Sequence, residues 1–272
     1  MKISVCQLPD YLSPNDPAWL GWVRHIERER PELALLNELP FGGWVATGAT
    51  FNEDVAEASI HSHEAALLAL REVHTAIIAS RPVRGKWALC NEAFLMAGGL
   101  YQLIHHKHYF PEEPGFFEQT WFATERSGFE VVEYNGVRIG VLLCTELMFT
   151  EWARHYRRRG AHVLVCPRAS SGAAGHWDTA ARMAALVSGC YVLSSNRVSY
   201  GAGRVPSFGG RGFAYSPTGD LLAETSQAMP FACVNVDLKQ VAEAQRNYPC
   251  NVRELWEHEN DRPKKSRRAA RS

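Results

Sequence analysis

The chain has 272 residues, 46% of them hydrophobic and 21% charged, which is enough apolar material for a large core in a single α/β domain. Its 29 Lys and Arg equal its 29 Asp and Glu, so no net charge draws it to nucleic acid or to an anionic membrane. No stretch reaches the roughly 18–20 apolar residues of a membrane span, and the opening MKISVCQLPD lacks the long apolar segment of a signal peptide.

Residues 2–8 read as a short buried strand, and residues 17–30 as a helix with Trp19, Leu20, Trp22, Val23 and Ile26 on its apolar face. PELALLNELPFGG is an apolar run that meets a proline and a glycine pair, so it reads as a buried strand ending at Glu38. A second helix is expected over 54–73 and a further buried strand over 74–80. KWALCNEAFLMAGG and GLYQLIHH read as two longer strands joined at Gly98 and Gly99. Residues 109–128 mix proline, glycine, acids and aromatics without a period, which predicts a long ordered loop of the kind that carries function. FEVVEY and VRIGVLLC form a hairpin about Asn135-Gly136, a turn dipeptide with the left-handed freedom such turns need. A helix follows and stops at Gly160. AHVLVCP reads as a strand, HWDTAARMAALVSGC as a helix and YVLSSN as a strand, with three more strand-like runs near 211–215, 220–225 and 231–236. Strands first alternate with helices and then come in pairs, which suits a layered α/β domain better than a regular barrel. One domain is expected over 1–260, followed by a basic, disordered tail at 261–272.

Seven cysteines, Cys6, Cys90, Cys144, Cys166, Cys190, Cys233 and Cys250, are odd in number and widely spaced. That argues against a disulfide framework or a zinc site and for small core residues in a reducing cytoplasm. Cys144 differs in context. A buried strand delivers it to a turn that a helix follows, a place where backbone N–H groups or a nearby cation lower a thiol's pKa and make it a nucleophile. Taken alone it reads more readily as one more buried thiol. Glu38, at the carboxyl end of a core strand, is a carboxylate that must be paired or face a cleft. Lys107 ends the run GLYQLIHHK, where it reads as a surface lysine or as a cation able to stabilise an oxyanion. Of the neighbouring His105, His106 and His108, strand alternation puts only His106 and His108 on one face, and no acid stands at a supporting spacing, so no metal is expected.

Three segments, LLNELPFGGW, IHHKHYFP and GVLLCTELMFTEWARHYRRRGAHVLVCP, resemble in order and spacing the three signatures of the nitrilase superfamily, the carbon–nitrogen hydrolases. KISVCQL, Ser194-Ser195-Asn196-Arg197 and GFAYSPTG are similar to its opening and late segments, so the likeness covers about 1–240. It implies a four-layer α-β-β-α sandwich that pairs with a second copy into an α-β-β-α-α-β-β-α dimer or a higher homo-oligomer. It also implies a catalytic set of Glu38, Lys107 and Cys144, with a second glutamate on the loop between the last two. Glu118 matches that position best, and Glu112 and Glu113 compete with it. The backbone N–H of Thr145 would help hold the oxyanion. Thr145 stands where true nitrilases typically carry Trp, which favours amides over nitriles. Arg168, just past a strand end, would meet a substrate carboxylate or lie at the surface. The implied activity is cleavage of a small carboxamide to carboxylate and ammonia through a cysteine thioester, without cofactor or metal. N-carbamoyl-amine or amino-acid hydrolysis and nitrile hydrolysis are the alternatives within this fold. A non-catalytic binding protein is the alternative outside catalysis.

Overall fold

The structure is a computed structural model, described for residues 1–126, 128–172, 174–200 and 205–253. The expected basic tail and the last residues of the expected domain lie outside the described residues.

In chain order the elements are β1 (Lys2–Pro9), α1 (Pro17–Glu29), β2 (Leu33–Leu35), α2 (Glu53–Arg71), β3 (Ala76–Arg84), β4 (Leu89–Ala97) and β5 (Leu100–His106). The expected long loop holds two two-residue strands, β6 (Glu112–Glu113) and β7 (Phe116–Phe117), and one turn of helix, α3 (Glu118–Trp121). The hairpin β8 (Val132–Tyr134) and β9 (Val137–Val141) follows, then a 3-10 turn (Cys144–Met148), α4 (Thr150–Arg158), β10 (Val163–Arg168), α5 (Ala174–Ser188) and β11 (Tyr191–Val198). The chain closes with β12 (Phe213–Tyr215), β13 (Leu221–Glu224), β14 (Phe231–Asn235) and α6 (Leu238–Arg246). The sequence reading did not include α6. It is only nine residues long and buries Val241 alone, although the Asp237 side chain caps its first turn by accepting from Lys239 N–H at 2.9 Å.

The strands hydrogen-bond in the order β5-β4-β3-β2-β1-β11-β10-β9-β8, with β14 on β1 and β12 and β13 beyond β11. Pairing around the centre is parallel (β1 with β2 and β11, β10 with β9 and β11), while β3, β4 and β5 form an antiparallel meander. The β1–β11 pairing involves only Gln7, Leu8 and Pro9, so the two halves of the sheet join along one short seam.

Three apolar clusters show why this becomes four layers. Ile3, Val5, Leu35, Ile78 and Leu95 of one half pack against Ile139, Val141, Val163, Val165 and Leu193 of the other, forming the core between the two sheets. On the outer face of the first half, Trp19, Trp22, Ile26, Ala66 and Leu70 of α1 and α2 cover Leu8, Leu36, Ile77 and Phe94. On the outer face of the second, Ala153, Tyr156, Ala181 and Ala185 of α4 and α5 cover Leu142, Leu164, Cys166 and Val192. Strands covered on both faces read as continuous apolar runs, which is why β2, β10 and β11 were plain in the sequence. The parallel strands β2 and β10 both end at the same edge of the molecule, and the candidate side chains gather there.

Candidate active site

Three features fix Glu38. Just past β2 its backbone N–H donates to the Arg168 carbonyl at the end of β10, at 3.2 Å. Leu39 next to it takes a left-handed φ of 44°, which turns the chain away from the sheet. Beneath the turn lies Arg197, fully buried on β11, which donates to the carbonyls of Glu38 and Leu39 and, through Nη1, to the Gly42 carbonyl and the Asp10 carboxylate. Its guanidinium faces the edge-to-face pair of Trp44 and Phe208, 5.7 and 5.6 Å from their centroids.

His63 of α2 holds the same loop. Its Nδ1–H donates to the Ser59 carbonyl at 2.8 Å, and its Nε2 accepts the Phe41 N–H at 3.3 Å, so the ring must be neutral to serve both. Burial pushes its pKa down to about 3. A depressed folded-state value means stability is complete above the unfolded value of about 6.5 and is lost as pH falls towards 3. From pH 7 to 4.5 this one group should cost about 2–3 kcal/mol of unfolding free energy. Urea unfolding at both pH values should show a smaller acid loss in His63→Gln than in the wild type; equal losses would rule the effect out.

Lys107 follows β5 and is fully buried. Its Nζ donates to Glu38 Oε1 at 2.7 Å and to Glu118 Oε2 at 2.5 Å. Burial alone would lower its pKa, but the carboxylates of Glu118 and Glu38 carry it well above the ordinary lysine value, so it stays charged. Burial pushes the Glu118 carboxyl up, to about 8, and Glu38 adds to the push while Lys107 opposes it. Asn91 of β4 also donates to Glu38 Oε1, at 2.8 Å. Glu38 Oε1 is therefore saturated, while Glu38 Oε2 and Glu118 Oε1 are buried without a hydrogen-bond partner among the described residues. Buried carboxylate oxygens without partners are costly, and they mark where a proton or a substrate N–H belongs.

Cys144 opens the 3-10 turn with a left-handed φ of 48°, a strained conformation for a non-glycine residue. The expected order of strand, turn and helix is present, with one bound corrected: β9 ends at Val141 and does not run straight into Cys144, the turn is 3-10 and the α-helix begins at Thr150. The expected low thiol pKa is corrected as well. Burial and then Glu38 raise it well above the ordinary cysteine value, and Lys107 only partly offsets them. The resting group is a thiol, and it donates weakly to the Ala169 carbonyl at 3.9 Å. Thr145 N–H precedes the first hydrogen bond of the turn, from Glu146 N–H to the Leu143 carbonyl, and so is an unspent donor of the turn itself.

Other candidates lie elsewhere. Glu112 and Glu113 are exposed on β6, where Glu112 accepts from Thr120 N–H and Oγ1–H at 3.1 and 2.6 Å. Arg168 is buried, not at the surface. It donates to Ser194 Oγ, Ser170 Oγ and the Arg211 carbonyl, with its guanidinium between the rings of Trp177 and Phe213. Bidentate pairing with a substrate carboxylate would require breaking these bonds. The histidine reading is corrected too. Because β5 ends at His106, strand alternation no longer governs His108; His105 and His108 stack with centroids 5.5 Å apart, and His106 turns to Glu92. His105, His108 and Glu146 come within 4.8 Å of one another, yet both Glu146 oxygens already accept N–H groups.

Sequence reading missed Asn91, Arg197, His63 and Glu146. A signal existed for the first two: a lone amide in the apolar strand LCNEAFLMA and an arginine in the wholly buried YVLSSNRV.

The site is thus a buried lysine between two glutamates, with a thiol on a strained turn nearby, at the edge of an α-β-β-α sandwich. The chain belongs to the carbon–nitrogen hydrolase family, whose model matches residues 2–246. It is similar to N-carbamoylputrescine amidase of Arabidopsis thaliana, 27% identical over 54% of this chain and 54% of that protein. It is also similar to omega-amidase NIT2 of Homo sapiens, 26% identical over 49% of each. These matches span only about half the length of the curated relatives. In fold it resembles a carbon–nitrogen hydrolase from Helicobacter pylori, with a TM-score of 0.81 at 21% identity over 95% of this chain and 96% of that one. An amidase from Nesterenkonia sp. superposes with a TM-score of 0.70 at 20% identity, over 91% and 96%.

Proposed function

We propose that the protein hydrolyses a small, non-peptide carboxamide to a carboxylate and ammonia through a thioester on Cys144. The observation that carries this reading is the division of labour on Glu38: Oε1 is held by Lys107 and Asn91, while Oε2 is left open and buried. A thiol held protonated by burial needs such a base. Glu38 Oε2 takes the thiol proton as sulfur attacks the amide carbon. The oxyanion gathers negative charge beside Lys107 Nζ and the Thr145 N–H. Collapse breaks the carbon–nitrogen bond, and the proton passes from Glu38 to the leaving nitrogen. Water, giving its proton to the same carboxylate, then opens the thioester and returns Cys144 as a thiol. Glu118 keeps Lys107 in place, with Oε1 open to an N–H of the amide.

The substrate class rests on Thr145 after the nucleophile and on relatives named as amidases. Ammonia release from a panel of ω-amides, N-carbamoyl compounds and nitriles tests it. Turnover of simple amides should exceed that of nitriles by at least about 10²-fold, a difference of nearly 3 kcal/mol in the barrier. Preference for nitriles would overturn the substrate class, and fastest turnover of N-carbamoyl compounds would move it to carbamoyl hydrolysis.

We further propose a reducing cytoplasm and a homodimer or higher homo-oligomer as the setting. Cys6, Cys90, Cys144, Cys166, Cys190 and Cys233 form no disulfide, and none of the described helices is long and apolar enough to cross a membrane. The oligomer follows from the family likeness.

A further inference from the structure

Glu146 has no step in the chemistry above, yet its side chain is fully buried and accepts three hydrogen bonds. Oε2 accepts the N–H of Leu143, the residue before Cys144, at 2.7 Å. Oε1 accepts the N–H of His108, the residue after Lys107, also at 2.7 Å. Neither amide belongs to a strand, since β9 ends at Val141 and β5 at His106. In the sheet these two strands lie far apart, so no ladder links the elements that carry the thiol and the ammonium.

We propose that Glu146 is a positioning residue that sets the separation of Lys107 from Cys144 by bridging their two backbones from behind the site. The inference rests on reading those two residues as the catalytic pair. His105 completes the device. Its Nδ1 accepts the Phe129 N–H at 3.2 Å, so Nε2 carries the proton and donates to Glu146 Oε2 at 2.8 Å. Gly128 permits this packing: a Cβ there would lie 2.4 Å from His108 Cε1 and 2.7 Å from His105 Nδ1.

Three donors converge on the two oxygens, and only a carboxylate offers acceptors on both atoms. In Glu146→Gln the carbonyl oxygen can keep Leu143 and His105, but the amide nitrogen then faces the His108 N–H. The lysine end of the bridge should be released while the cysteine end stays held. Displacement of this order, about 1 Å, costs roughly 10²-fold in rate.

The test is steady-state kinetics of Glu146→Gln on the best amide, normalised to Cys144 sites counted by iodoacetamide. The expected result is kcat per counted site down roughly 10²-fold, with KM within about threefold. A residue that only stabilised the fold would lower the number of sites and leave turnover per site intact; that result overturns the proposal. Hydrogen exchange in the wild type supplies a reading that needs no variant. The Leu143 and His108 amides should be as protected as those of β9 and β10, and exchange at loop rates for either would overturn the bridge. If alkylating Cys144 leaves wild-type activity intact, it is the catalytic reading that fails and not the bridge alone.

Discussion

Cys144→Ala should abolish amide turnover, by roughly 10⁴- to 10⁶-fold, because loss of the nucleophile removes the covalent route altogether. Cys144→Ser should fare little better. A hydroxyl is harder to deprotonate than a thiol, and the site already holds the thiol in its protonated form through burial and the nearby Glu38. Serine should cost some stability but not the fold, since the side chain is nearly isosteric yet packs in the apolar cluster with Leu142, Leu147 and Cys166, with a weak hydrogen bond to the Ala169 carbonyl. Ammonia release and intact-protein mass together check the prediction. A slow amide should leave an acyl mass on the wild-type protein and none on the alanine variant. Near-full activity in either variant would end the assignment. The same mass experiment separates a catalyst from a binding protein on this fold. Iodoacetamide should label Cys144 in the wild type and label it more slowly in Glu38→Gln, because the proposed mechanism has the open Glu38 Oε2 take the thiol proton. A Cys144 that resists labelling in both would favour binding without chemistry.

Lys107→Met should cost both activity and stability, and a double variant can tell the two apart. Lys107 is enclosed with two glutamates, all three at most 1% exposed in their side chains. Removing the ammonium leaves two buried carboxyl groups facing one gap, so at least one must be protonated at neutral pH. Breaking a buried ion pair from one side costs about 3–5 kcal/mol, which for a domain of this size is a large share of the total. Turnover should fall at least about 10³-fold with the loss of oxyanion stabilisation. Adding Glu118→Gln to Lys107→Met removes one stranded carboxylate. Stability should then recover by about 1–3 kcal/mol while turnover stays lost. Urea unfolding and kcat on all four members of the cycle check this. Additive stabilities, with no recovery in the double variant, would show that Lys107 and Glu118 do not act as a buried pair.

Much of this site was readable in the sequence because each residue stands where an apolar run stops. LALLNELP and VLLCTE follow strands paired in parallel and buried on both faces, which advertise their ends by composition alone, whereas YQLIHHKH ends the antiparallel edge strand β5, buried only over its last residues. Order and spacing then carried the family likeness. What the sequence left open is of a different kind. It favoured Glu118 over Glu112 and Glu113 on one loop only by likeness, and the fold separates them: a single helical turn brings Glu118 to Lys107, while Glu112 serves Thr120. It offered Arg168 as a substrate anchor or a surface side chain, and the fold removed the second reading by burying its guanidinium against Trp177, Phe213, Ser194 and Ser170.

By itself, the sequence determined the layered α/β class, the strand-end placement of Glu38, Lys107 and Cys144, and the Asn135-Gly136 hairpin. These are short-range matters of hydrophobic period and turn chemistry. Tertiary structure alone decided how those side chains are charged and held. The raised thiol pKa, the saturated and open oxygens of Glu38, the Arg197 clamp and the Glu146 bridge all depend on contacts distant in the chain, such as Lys107 with Glu38 (69 positions), Glu146 with His108 (38) and Arg197 with Glu38 (159). Burial strengthens every such contact by stripping water from it, and no window of sequence contains that information.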